Sequence, residues 1–342
     1  MEYRSLLSGR TYRLGKQIGK GGEAKVLEVT NYSGAVAKLY EQKLCNAHRE
    51  RKLMAMLQTP LPPELDTDLV WPKDILYDNT GQLAGFVMRK VSGGTPLNVM
   101  YSDESSCDLL KDITVAKNLC VAVYNSHKTG LVIGDLNPCN ILVLKTGVVR
   151  IIDTDSFHIR DNQGRTFRCE VGVPEFIAPK ILNAIPQGET LKTVPLHTTY
   201  TQESDEYALA ILIFQLLMNG THPFTVALAK GNDLDMLQPV DLMKRYNFPY
   251  DKCPHDMKLP VYALPFKCLS ERLRFLFIKS FSNGESISAE VWYDALCNFE
   301  KDITKTCRVN SNHKYRKGLR KCPYCDTLKR TELFFKNQKK KH

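Results

Sequence analysis

Three oxygen-bearing side chains stand at a spacing that suits one kind of chemistry. Asp135 is followed five residues later by Asn140, and thirteen residues after that comes Asp153, with apolar residues flanking each polar one. Phosphoryl transfer needs a carboxylate to orient the attacking hydroxyl, and metal ions to neutralise charge shared by the β- and γ-phosphates. Magnesium is hard, prefers oxygen ligands and takes only one or two of them from protein. Asp135 is therefore the candidate for the hydroxyl, and Asn140 and Asp153 are the candidates for Mg2+. Two carboxylates gathered at such a site would repel, and a bound cation removes that cost.

Two further clusters carry chemistry. Gly19, Gly21 and Gly22 lie in the run 19–24, where missing side chains let backbone N–H groups approach phosphate oxygens. A simple hairpin turn reads the same way, so this signal is weak by itself. In the last 42 residues, Cys307, His313, Cys322 and Cys325 offer three thiolates and one imidazole. Zinc takes four such ligands tetrahedrally, and with all four from protein the ion is structural. A redox pair is the alternative for Cys322 and Cys325, but no thioredoxin-like strand–helix–strand pattern surrounds them. A basic segment this short cannot bury a core of its own, so a metal staple is physically sensible.

These residues need elements to position them. Residues 12–18, 25–29 and 35–40 read as strands, with a glycine-rich turn at 19–24 and a turn at 31–34. Lys38 lies on the third of these. Residues 46–57 read as a helix, 85–88 as an apolar strand, and 207–218 as a buried helix interrupted by Gln215. The pattern changes from strand-like to helix-like near residue 92. The expected organisation is α+β: a small β-rich lobe over 1–92, a large helical lobe over 93–300 and a basic zinc-bound tail over 301–342.

Composition is that of a folded protein, with 43% hydrophobic and 25% charged residues. No apolar run reaches the roughly 18–20 residues of a membrane span, and residues 1–13 lack the apolar core of a secretory signal. Eleven cysteines, most of them scattered through 45–297, fit reduced thiols and a cytoplasmic location better than a disulfide framework. The net charge of +10 belongs to the tail. Residues 301–342 hold 14 Lys and Arg against 3 Asp and Glu, whereas 1–300 hold 33 against 34. A local basic cluster implies an acidic partner (nucleic acid, anionic lipid or an acidic protein face) or else a solvated tail with no partner. Arg316, Lys317, Arg320, Lys321, Lys329 and Arg330, with Tyr315, Phe334 and Phe335, would form such a surface.

Several segments together resemble the protein kinase superfamily, Ser/Thr type, from about Tyr12 to Glu300. The run 132–143 (VIGDLNPCNILV) and Asp153 are similar to the H-R-D-x-x-x-x-N and D-F-G segments, and 35–38 (AVAK) to V-A-I-K. Residues 172–179 (GVPEFIAP) resemble the end of an activation loop. Residues 204–210 (SDEYALA) resemble the start of a central helix whose aspartate, here Asp205, braces the catalytic loop. Residues 220–224 (GTHPF) resemble the segment that follows it. The resemblance is closest to a divergent bacterial kinase family, some of whose members are associated with tellurite resistance.

The resemblance implies a bilobal fold, ATP and Mg2+ as cofactors and a protein substrate. Lys38 would contact the α- and β-phosphates, and Glu50 on the following helix would hold Lys38 toward them. Val26 would lie over adenine, Met88 at the back of its pocket, and the backbone of Arg89–Val91 would hydrogen-bond it. Four departures matter. Gly134 replaces the arginine that receives a loop phosphate, which implies activity independent of that phosphate. Asn137 replaces a lysine that neutralises the γ-phosphate. Asp153-Thr154-Asp155 replaces D-F-G, and Lys180 replaces the glutamate of A-P-E. With Asp135, Asn140 and Asp153 intact, an active, autophosphorylating enzyme is the expectation. A nucleotide-binding scaffold without turnover and a small-molecule kinase are the alternatives.

Overall fold

The computed structural model describes residues 1–102, 108–229 and 238–339, so Cys107 and the last three residues of the basic tail lie outside it. Six strands form the small lobe: β1 (Glu2–Arg4), β2 (Thr11–Lys20), β3 (Ala24–Val29), β4 (Ala35–Tyr40), β5 (Pro72–Tyr77) and β6 (Leu83–Arg89). They close into an antiparallel barrel in the order β1-β2-β3-β4-β6-β5, with Arg4 opposite Tyr77 at the closure. The glycine-rich turn joins β2 to β3, where Gly19 faces Val26 and the Gly21 N–H donates to the Ala24 carbonyl at 2.9 Å.

The two faces of β4 part company, as side chains on a strand must. Ala37 points into a small barrel core with Tyr12, Leu14, Val29, Leu76 and Val87. Val36 and Tyr40 join the main core on the other face, and Lys38 lies between them, paired in register with Val26 and Phe86. Asp74 ties the first segment to β5. It accepts from Ser5 Oγ at 2.5 Å, Ser8 Oγ at 2.5 Å and Tyr12 OH at 2.7 Å. Helix α1 (Ala47–Gln58) starts at Asn46, whose side chain accepts the Arg49 N–H and so satisfies one of the orphan donors of the first turn.

The large lobe wraps the helix Gln202–Leu217. Thirteen of its sixteen residues are buried, including Gln215. A helix apolar on all sides must be enclosed, and Leu109–Lys128, Glu271–Phe281 and Ala289–Asp302 lie around it. Phe214, Phe277 and Trp292 make the centre, with ring centroids 5.0 and 4.7 Å apart in sequence. Beneath the barrel, Thr95–Pro96, Ile141–Val143 and Val149–Ile151 form a three-stranded sheet with Ile141 opposite Ile151.

The tail follows Ala289–Asp302 without a break. A hairpin, Ile303–Thr306 with Lys314–Arg316, leads to the helix Pro323–Lys339. Arg330 donates to the carbonyls of Val261 and Ala263 at 2.9 and 2.8 Å, and Arg316 Nε to that of Lys267 at 3.0 Å. Tyr324 is buried in the main core. The tail is thus seated on the large lobe.

Candidate active site

A short hairpin brings the polar triad together. Asn140 immediately precedes the strand Ile141–Val143, and Asp153 lies just beyond its partner Val149–Ile151, with the Ile152 N–H donating to the Asn140 carbonyl at 2.8 Å. Asp153 takes a left-handed backbone, φ 65°. Asp135 is held by three donors: Asn137 Nδ2 at 2.7 Å and the Val173 N–H at 3.3 Å on Oδ1, and Asn140 Nδ2 at 3.1 Å on Oδ2. Burial pushes the Asp135 carboxyl above its ordinary range despite those donors. A raised carboxylate is the better proton acceptor.

The segment 133–135 is braced from below. Asp205, fully buried, accepts the N–H groups of Ile133 and Gly134 at 2.7 and 2.8 Å and lies 3.1 Å from His127 Nε2. Gly134 has φ +80°, and a Cβ there would lie 2.7 Å from the Cys169 Cβ and 2.8 Å from its Sγ. Cys169 and Tyr200 therefore fill the volume that an arginine at 134 would need.

The triad opens onto a cleft of about 800 Å3 between barrel and large lobe. Gly19, Gly21, Gly22 and Val26 line its roof, Met88, Arg89 and Val91 its back, and Lys38, Asp135, Asn140 and Asp153 its floor and inner end. Of the residues expected at a nucleotide site, only Glu50 is missing from this lining.

The expectation that Glu50 pairs with Lys38 is corrected. Glu50 Oε1 accepts from Tyr77 OH at 2.8 Å, on the barrel side of α1. Successive helix residues are about 100° apart, and the turn facing the cleft presents Arg49 and Lys52 instead. Lys38 Nζ donates to Asp153 and, at 2.6 Å, to Asp155 Oδ1. Burial alone would lower the Lys38 pKa, but Asp155 and Asp153 outweigh it and hold the amine up at about 12. Lys52 makes no ion pair among the described residues, and burial outweighs the pull of Cys169 and Asp155 and brings it down to about 8. Sequence reasoning assigned no role to Asp155, Arg49 or Lys52. The signal for Asp155 was its acidic type at a position where the family pattern has glycine.

The residues present fit magnesium. The donors are a carboxylate and an amide, both hard, and Asp135 and Asp155 each push against the charge of Asp153. A crowd of acids at the end of a cleft is a cation's environment.

The tail cluster has its own geometry. One ligand atom from each of Cys307, His313, Cys322 and Cys325 lies within 4.8 Å of the others. Sγ of Cys307 and Cys325 are 3.6 Å apart, and His313 Nδ1 is 3.6 Å from Cys322 Sγ and 3.4 Å from Cys325 Sγ. Tetrahedral zinc with ordinary bond lengths places such atoms about 3.5–3.8 Å apart. The Val309 N–H donates to Cys307 Sγ at 3.4 Å, an outer contact of the kind that steadies a thiolate ligand.

Comparison with known proteins agrees with the cleft. Residues 12–272 match the protein kinase domain. The chain is 29% identical to Protein kinase YegI of Escherichia coli (strain K12), over 96% of this chain and 50% of that protein. It is 25% identical to Serine/threonine-protein kinase PEPKR2 of Arabidopsis thaliana, over 91% of this chain and 58% of that one. Citron Rho-interacting kinase of Mus musculus is 23% identical over 64% of this chain and 10% of its own length. The chain thus spans about half the length of the first two relatives. The matched segment carries every residue of the cleft described above, and by that match the chain belongs to the protein kinase family.

Proposed function

We propose that the chain is an ATP- and Mg2+-dependent protein kinase that transfers the γ-phosphoryl group to Ser or Thr hydroxyls, its own included. The observation that supports this best is the convergence of Lys38, Asp135, Asn140 and Asp153 at the inner end of one nucleotide-sized cleft. In this reading the adenine lies between Val26 and Met88, against the backbone of Arg89–Val91. The N–H groups of the turn 19–22 and the Lys38 amine take the phosphates. Asn140 and Asp153 hold Mg2+, which supplies positive charge to the phosphate oxygens. Asp135 accepts the hydroxyl proton as the acceptor oxygen attacks, and its three fixed donors hold it in one orientation. Most of the barrier reduction in such a site is positioning and electrostatics.

Activity without a loop phosphate is supported by Gly134. The loop is already seated, with Cys169 packed on Gly134 and the Val173 N–H on Asp135. Ser/Thr acceptors are favoured by the name of the Arabidopsis relative and by the segment 172–179. A cytoplasmic setting is supported by the cysteines, which are all free thiols among the described residues. No helix there is long and apolar enough to cross a membrane. A structural zinc in the tail is supported by the four converging ligand atoms. For the basic surface, Arg316 and Arg330 are already spent on lobe carbonyls. An acidic protein or nucleic acid would therefore meet mainly Arg320, Lys321 and Lys329.

Incubating the purified chain with Mg2+ and radiolabelled ATP tests the assignment. Wild type should label itself on Ser or Thr. Asp135→Asn and Asp153→Ala should each fall by about two to four orders of magnitude, the usual worth of a positioned acid–base group. Equal labelling of wild type and Asp135→Asn would leave a nucleotide-binding scaffold contaminated by another enzyme as the explanation.

A further inference from the structure

Lys38 owns a carboxylate partner that the neighbouring helix does not supply. The cleft-facing turn of α1 carries two cations. Arg49 donates to Glu23 of the glycine turn at 3.0 Å and lies 4.5 Å from the centroid of the Tyr40 ring. Lys52 is buried against the same cavity. An acid must therefore come from elsewhere, and it comes from the far side of the cleft.

Asp155 takes that place with both oxygens. Oδ1 accepts from Lys38 Nζ at 2.6 Å and Oδ2 from Tyr40 OH at 2.8 Å. Lys38 and Tyr40 are two apart on β4, so one face of one strand presents both donors. Asp153 also touches Lys38, but its side chain is 33% exposed against 6% for Asp155. Of the two acids sharing the lysine, Asp155 is the enclosed one with two donors, and Asp153 is the one facing the cleft.

We propose that Asp155, and no residue of α1, is the positioning residue that orients Lys38 toward the phosphates. Asp153 can then yield its share of Lys38 to a metal ion without stranding the amine. This rests on the reading of the cleft as a Mg2+-nucleotide site.

The test is affinity for a fluorescent ADP analogue, with Mg2+ and again with EDTA, for the whole chain and its Asp155→Asn, Asp155→Glu, Tyr40→Phe and Glu50→Gln variants. With Mg2+, Asp155→Asn should bind about tenfold more weakly, the worth of a charged hydrogen bond. With EDTA it should lose less than about threefold, because Asp153 still holds the lysine. Asp155→Glu should recover most of the loss, and Tyr40→Phe should lose about threefold with Mg2+. In turnover, KM for ATP should rise more than kcat falls. Asp155→Asn within about twofold of wild type with Mg2+, or Glu50→Gln losing more than Asp155→Asn, would overturn the proposal. If Asp155→Asn melts below the assay temperature, Tyr40→Phe and Asp155→Glu decide by the same comparison with Glu50→Gln. Failure of wild type to bind the analogue would overturn the nucleotide reading and this inference together. Binding by wild type with an unaffected Asp155→Asn would overturn this inference alone.

Discussion

His222 lies buried beneath the segment 174–176, its Nε2 2.9 Å from the Glu175 carbonyl and its Nδ1 accepting the Phe224 N–H at 3.3 Å. Burial pulls its pKa down to about 4 from the ordinary 6.5. The unfolded chain takes up this proton near pH 6.5 and the folded chain only near pH 4. Stability from this site is therefore complete above pH 6.5 and lost as pH falls through that window. The loss should be on the order of 3 kcal/mol, and urea denaturation between pH 7 and 4.5 should show less of it in His222→Gln. At this scale, the sequence is informative where chemistry is local. Asp135, Asn140 and Asp153 lie within nineteen positions, and their spacing is itself the hairpin. Glu50 was misassigned because Arg49, Glu50 and Lys52 lie within four helix positions, and only the helix phase decides which of them face the cleft. Asp155 had no legible role because its partner is 117 positions away.

The barrel shows the same division among elements. Residues 25–29 of β3 alternate, and the glycine turn at 19–24 and the turn at 31–34 mark off β2 and β4, so all three were readable. Strand β5 was not, because four of its last five residues and Pro72 are buried and a strand buried on both faces has no period. Strand β1 has three residues, too few for a pattern. What holds both in place is Asp74. Replacing it with alanine leaves the hydroxyls of Ser5 and Tyr12 enclosed without an acceptor. Asp74→Ala should destabilise the chain by about 2–4 kcal/mol, measured as a shift in urea midpoint. Asp74→Asn should recover part of this, since its amide oxygen still accepts.

Across the whole molecule, the tail is the piece whose placement composition could not foretell. Its +11 charge left a partner surface and a solvated appendage both open; Tyr324 is buried and Arg330 caps two lobe carbonyls. The metal should then report on more than the tail. Elemental analysis should find about one zinc per chain. Stripping it with a strong chelator, or the Cys322→Ser and Cys325→Ser changes, should lower the melting temperature of the large lobe as well as releasing the tail helix. An unchanged melting curve after chelation would refute that coupling. Closure of the barrel has a different consequence. Proteins often recruit one another by lending a strand to a sheet whose rim is open. Here β1 meets β5 at Arg4 and Tyr77, so at that seam the small lobe offers no open strand. A binding protein that approaches the seam must grip it by side chains, on the outer wall of the barrel.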